Sequence, residues 1–146
     1  LYITLTKKGG VCKATLKQFT LNKEERLKSR KLMDELFVSG QTLTVFPFRL
    51  VWLEVPLLAD YPAQMAVSVS KRNFKHAVDR NRLKRLMREA YRKNKFTVYD
   101  MAQSLSKQYA IMLIYTGRKM VDYAEVESKI IITLKKFTER CNETAV

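Results

Sequence analysis

From residue 22 onward the chain divides into stretches of distinct hydrophobic period. Leu27, Met33, Leu36 and Phe37 fall near one face of a helix read at residues 22–38. Asn22 and Glu25 have capping-box spacing at its start, and Gly40 supplies its stop. Residues 42–55, with Val45, Phe46, Phe48, Val51, Trp52 and Val55, read as strand. Phe46, Phe48, Leu50 and Trp52 alternate onto one face and Arg49 points to the other, while Pro47 suggests an edge or a bulge. Asp60-Tyr61-Pro62 marks a turn, after which Met65, Val67 and Val69 alternate with Ala66, Ser68 and Ser70. These two segments predict an antiparallel hairpin. Helical period returns at residues 77–95, where Leu83, Leu86, Met87, Ala90 and Tyr91 form an amphipathic stripe. A short helix at 97–107 and a buried central strand from Tyr109 to Tyr115 follow. Asp122 and Glu125 form a second capping box ahead of a last helix carrying Val126, Ile130, Leu134 and Phe137. The order α-β-β-α-β-α predicts an α+β sandwich around a small sheet.

Composition adds boundaries to this picture. A chain of 146 residues has single-domain length. Residues 1–20, with Gly9-Gly10 and no sustained period, read as a flexible arm, and residues 21–142 as one domain. No apolar run approaches the length of a membrane span, and Leu1 to Leu5, followed by Lys7 and Lys8, does not read as a signal peptide. Cys12 and Cys141 lie near opposite ends without metal-ligand spacing, so reduced thiols in an intracellular protein are expected.

Charge changes the picture most. There are 28 Lys and Arg against 14 Asp and Glu, a formal +14. Residues 71–95 carry 11 bases and 2 acids, so nine of the fourteen net charges sit in that segment. On the helix read there, Arg80, Lys84, Arg88 and Arg92 share one flank of the apolar stripe, and Arg82, Arg85 and Lys95 extend the other. Such a surface repels itself unless counter-charge is supplied. RNA phosphates supply it, and release of their condensed cations drives binding. Arginine outnumbers lysine, which suits forked contacts to phosphate and stacking on bases. Asn81 offers a donor and an acceptor to a base edge or a metal-bound water. An anionic membrane surface is the other partner for a basic amphipathic helix, but the flanking strands and the width of the apolar stripe favour a folded domain.

The chemistry of an independent nuclease is not legible. It would need carboxylates clustered around metal ions, or an acid and a base flanking a phosphate. Asp79 and Glu89 read instead as partners of neighbouring arginines, and His76 as a surface or RNA-contacting residue. Gly117-Arg118-Lys119 reads as a basic turn that extends the RNA surface.

Val67-Ser68-Val69-Ser70-Lys71-Arg72, then Ala77-Val78 and the run Arg80-Asn81-Arg82-Leu83-Lys84-Arg85-Leu86-Met87-Arg88-Glu89-Ala90-Tyr91, resemble the signature of the bacterial ribonuclease P protein family. The resemblance extends from about residue 22 to residue 139. It implies a fold like the second domain of ribosomal protein S5, with a left-handed βαβ crossover. It also implies a protein that assists a catalytic RNA in removing the 5′ leader of precursor tRNA. Arg80, Asn81, Arg82, Lys84, Arg85 and Arg88, with Arg92 continuing the stripe, would face the RNA subunit, and Lys71 and Arg72 match a basic pair of the signature.

The resemblance places the leader in a cleft between the first helix and the sheet, with Ser68 and Ser70 matching serines of the motif. Family members often carry two aromatics four residues apart on the first helix. Here Met33 stands at the first position and only Phe37 keeps its ring. Phe48 and Trp52, sharing one strand face, are expected to compensate on the cleft floor. Mg²⁺ held mainly by the RNA, one protein per RNA and a place in the bacterial cytoplasm complete what the resemblance implies. A non-enzymatic RNA-binding protein of similar fold, such as a ribosomal or assembly factor, is the reading from a different class. The ordered signature favours the first.

Overall fold

The structure, a computed structural model, describes residue 21 and residues 23–57 and 61–144. The arm at residues 1–20, with Cys12, lies outside them, as do Asn22 and Asp60.

Residues 42–55 are not one strand. Pro47 has no N–H to donate to a ladder, and the chain turns there. It leaves β1 (Gln41–Val45) and β2 (Phe48–Glu54) paired antiparallel, from Gln41 opposite Trp52 to Val45 opposite Phe48. The predicted hairpin between β2 and β3 (Ala63–Val69) does not form either. β4 (Tyr109–Tyr115) inserts between them, antiparallel to β2 and parallel to β3, giving the order β1-β2-β4-β3. The reason lies in the composition of β4. Its residues are apolar on both faces and nearly all buried. A strand of that kind is stable only with a neighbour on each side and cover above and below.

Parallel neighbours need a long crossover. Two helices supply it, α2 (Ala77–Asn94) and α3 (Phe96–Leu105), and α4 (Tyr123–Thr144) follows β4. Asp122 Oδ1 accepts from the Glu125 backbone N–H at 3.0 Å, as its place ahead of α4 predicts. The amphipathic stripe of α2 buries Leu83, Met87, Ala90 and Tyr91, with Leu86 half-buried. It packs with α3 and α4 on the sheet face that presents Phe48, Leu50, Trp52, Ile111 and Leu113. Each such side chain contributes roughly 1.5–3 kcal/mol by leaving water.

The first helix starts later than predicted. Lys23–Glu25 form a single 3-10 turn, and Arg26 then bridges in parallel to Met65, with the Leu27 N–H donating to the Met65 carbonyl at 3.0 Å. α1 runs only from Arg30 to Ser39, capped by Ser29 Oγ, which accepts from the Leu32 N–H. The Glu25 carboxylate turns inward. It is buried and accepts from Lys95 Nζ and from the Tyr99 hydroxyl, both at 2.5 Å. α1 covers the other face of the sheet, where Leu27 and Leu36 meet Val51, Ala110 and Met112. Gly40 ends it at an ordinary φ of −71°. Glycine is needed for closeness rather than for conformation, since a Cβ would sit 2.3 Å from the Leu36 carbonyl oxygen and 2.9 Å from Val51 Cγ1.

Candidate nucleic-acid interface

With one side of α2 locked into the core, its other sides carry the charge outward. Asn81, Arg82, Arg85 and Arg88 are exposed and Lys84 is half-buried. Arg82, Arg85 and Arg88 succeed one another at intervals of three, so they lie as neighbours along the helix surface. Asp79 in the first turn sits at the positive end of the helix dipole, where a carboxylate is favourable. His76, exposed, occupies the N-cap position without a side-chain capping bond.

Two arginines of the predicted set are committed within the protein. The Arg80 guanidinium donates to the Phe74 and Lys75 carbonyls at 2.8 and 2.9 Å, tying the preceding loop to the first turns of α2. Arg92 forks onto Glu89, Nε to Oε2 at 2.9 Å and Nη2 to Oε1 at 2.5 Å. Those bonds hold the Glu89 carboxyl below the usual carboxylate range. Glu89 is thus the arginine partner that its place in a basic helix predicted. The predicted cation Lys95 is buried against Glu25 and does not extend the surface.

The structure also adds a cation that reading along the chain missed. Arg26, exposed in the segment before α1, lies near Arg88, whose pKa is lowered first by partial burial and then by the Arg26 charge. Nothing in the local pattern pairs these residues. They come near each other because the 26–27 segment lines the outer edge of β3. Two like charges held together at a surface form a strong point of attraction for an anion.

Lys71 and Arg72 project, exposed, from the turn after β3. Ser70 Oγ accepts from the Arg72 N–H at 3.1 Å, and the Ser70 carbonyl accepts from the Phe74 N–H at 3.1 Å. Asn73 Nδ2 reaches the Thr116 and Gly117 carbonyls at 3.4 Å, so this turn is anchored to the loop after β4.

On the α1 side, Phe37 is 63% exposed, whereas Met33 is half-buried against the small core beneath the helix. Ser68, Ile114 and Arg49 stand side by side across β3, β4 and β2, with Ser68 and Ile114 half-buried and Arg49 exposed. Phe48 and Trp52 are not on this side of the sheet, where the leader cleft was expected. They share one strand face, as their spacing predicts, but that face is the one under α4, where Trp52 packs on Phe137 at 5.1 Å between ring centroids. Phe48 packs edge-on to Tyr115 at 5.5 Å. Both are buried. The expected compensation for Met33 therefore comes from neither ring. The groove face of β2 is the odd-numbered one, Arg49, Val51 and Leu53, and Arg49 is its charged member. Phe46, expected to point with Phe48, instead stands 71% exposed at the β1–β2 turn.

Among the described residues no three or more His, Cys, Asp or Glu side chains come together as a metal site, and no helix is long and apolar enough to cross a membrane. What α2, the 70–76 turn and the α1 groove share is cationic charge beside half-buried apolar surface, an arrangement suited to RNA strands.

Comparison with known proteins points the same way. The Ribonuclease P family model matches residues 21–138. The ribonuclease P protein component of Porphyromonas gingivalis strain ATCC 33277 is 39% identical over 110 residues, 75% of this chain and 80% of that protein. That of Chlorobium phaeobacteroides is 40% identical over 110 residues, 68% and 75% of the two chains. Among solved structures, the ribonuclease P protein of Thermotoga maritima superposes with a TM-score of 0.61 at 25% identity, covering 77% of this chain and 96% of its own. The Staphylococcus aureus protein, at 19% identity and a TM-score of 0.54, covers 76% and 93% and shares the fold.

Proposed function

The chain belongs to the bacterial ribonuclease P protein family, and on that footing we propose that it binds the catalytic RNA of ribonuclease P through α2 and the 5′ leader of precursor tRNA through the α1 groove. The observation that carries this reading is the exposed set Asn81, Arg82, Arg85 and Arg88 on a helix whose opposite side is fixed in the core. A helix fixed in the core holds the Cα positions of these residues in one register, so binding needs no further ordering of the backbone. Lys71 and Arg72 extend the surface past β3, and Arg26 beside Arg88 extends it towards α1.

In this reading the RNA carries the bond cleavage. Mg²⁺, in the same proposal, is held mainly by the RNA. The protein lowers repulsion between two polyanions and steadies the leader. Phe37 stacks on an unpaired base, Met33 packs against it, and Arg49 and Ser68 meet the backbone. The proposal includes one protein per catalytic RNA and a place in the bacterial cytoplasm.

Reconstitution tests the proposal. The purified chain is mixed with a bacterial ribonuclease P RNA and precursor tRNA at low Mg²⁺, and 5′ leader release is followed. Faster release than with the RNA alone is expected. No increase at saturating protein would sink the proposal and favour a non-enzymatic RNA-binding role.

A further inference from the structure

A second groove lies at the end of the sheet beyond β4. It opens between the β1–β2 turn, the loop after β4 and the start of α4, with a volume of about 600 Å³. Its walls include Phe46, Tyr115, Arg118, Lys119, Glu125 and Lys129. Phe46 is a large apolar ring that the fold leaves in water, and its neighbours here are three cations against one carboxylate.

The groove is built rather than fluid. The Thr116 N–H and hydroxyl both donate to the Pro47 carbonyl, at 2.7 and 2.9 Å, clamping the loop to the turn that carries Phe46. The Tyr115 hydroxyl donates to the Lys119 carbonyl at 2.6 Å and closes the loop on itself. Gly117 permits this approach, because a Cβ there would meet Tyr115 Oη at 2.8 Å and Pro47 Cβ at 3.1 Å. Asn73 connects the loop to the Lys71-Arg72 turn, so the groove adjoins the basic surface already described.

We propose that this groove is a separate subsite for single-stranded RNA, with a base stacked on Phe46 and the adjoining phosphates on Arg118, Lys119 and Lys129. The proposal rests on the RNA-binding reading above and extends it from the basic turn at Arg118-Lys119 to Phe46 and Lys129, which that reading leaves unused. A presented ring beside several cations is the pairing that sequence-tolerant single-strand binding requires, since every base has a face to stack and every nucleotide a phosphate. Glu125 is consistent with it, because its carboxylate can accept from a base amino group while the cations hold the backbone.

The full chain and two fluorescence-silent oligoribonucleotides, decaadenylate and decauridylate, provide the test. The native Trp52 is buried, so Phe46→Trp places a reporter in the groove whose emission is distinguishable by its exposure. Emission from Phe46→Trp is expected to change on RNA addition with the same midpoint as total binding. Phe46→Ala, at an exposed position that leaves folding intact, is expected to weaken binding by about tenfold. Arg118→Ala with Lys119→Ala is expected to flatten the salt dependence by about 1.4 in log–log slope, two contacts at about 0.7 each. Emission unmoved at saturating RNA, together with unchanged affinity for Phe46→Ala, would overturn the subsite. If the wild-type chain still speeds leader release in that case, the proposed function stands and only this inference fails. If leader release is not enhanced but the groove reports RNA, the reverse holds.

Discussion

Lys95 donates to Glu25 at 2.5 Å with both side chains out of water, which fixes the segment before α1 to the corner between α2 and α3. The Tyr99 hydroxyl donates to the same carboxylate oxygen, and the Lys95 ammonium lies 5.4 Å from the Tyr99 ring centre. Glu25→Ala removes the counter-charge and leaves a buried ammonium. Urea unfolding should show a loss of about 3–5 kcal/mol. Glu25→Leu combined with Lys95→Met should cost much less than the sum of the single changes, because no orphaned charge remains. A loss under about 1 kcal/mol for Glu25→Ala would mean that the pair is hydrated in solution.

The arginines of α2 divide into those that face outward and those that hold the fold. Arg82→Ala and Arg88→Ala should each weaken RNA binding and reduce its log–log salt slope by about 0.7–0.9, with little change in stability. Arg80→Ala should also cost roughly 1.5–3 kcal/mol of stability, because two loop carbonyls lose a charged donor. Filter binding across a salt series, paired with denaturation of each variant, separates the two groups. Equal salt slopes for all three variants and the wild type would move the RNA surface elsewhere.

Phe37 and Trp52 should behave oppositely. Phe37→Ala, at an exposed ring, should reduce the preference for leader-bearing over leaderless tRNA about tenfold, as loss of one stacked base implies, with unchanged unfolding. Trp52→Ala should cost about 3–5 kcal/mol of stability, and the folded fraction should keep its leader preference. Comparing the two substrates with each variant checks this.

Burial pushes the Cys141 thiol from 9.0 up to about 11. The folded state therefore keeps its proton where the unfolded chain has lost it. The stability this contributes is fully present below pH 9 and is lost as pH rises through about 11. Unfolding free energy should fall across that window, and Cys141→Ala should remove part of the slope, leaving the part due to buried tyrosines. At pH 8 the thiol should react with iodoacetamide far more slowly than an exposed cysteine. Rapid modification of Cys141 itself, located by mass spectrometry in the folded protein, would mean that this end of α4 opens readily.

The residues that read well from the sequence were those whose neighbours lie on the same element. Leu83, Met87 and Ala90 report their burial through helical spacing alone, and so do Val126 and Ile130 of α4. The continuous apolar run of β4 announces a central strand. What stayed hidden needed long-range pairing. Nothing near Glu25 distinguishes a capping residue from half of a buried ion pair whose other half is Lys95. The period of β2 shows that Phe48 and Trp52 share a face but not which layer covers it, and the groove was assigned to the wrong one. Arg26 meets Arg88 only through the bridge to β3. Pro47 was visible as a break, while the insertion of β4 that separates β2 from β3 was not.

The place of α2 between β3 and β4 bears on how the chain emerges from the ribosome. Its apolar stripe is covered largely by α4, which is made after it, and β3 has its sheet partner only once β4 exists. Until residues 109–144 are available, the arginine-rich segment has no platform to fix its orientation. A nascent chain at that stage carries the charge for RNA without the shape. On the proposed function, discrimination between a cognate RNA and the ribosome's own arrives with α4, and truncation before α4 should leave a sticky polycation in place of a selective one.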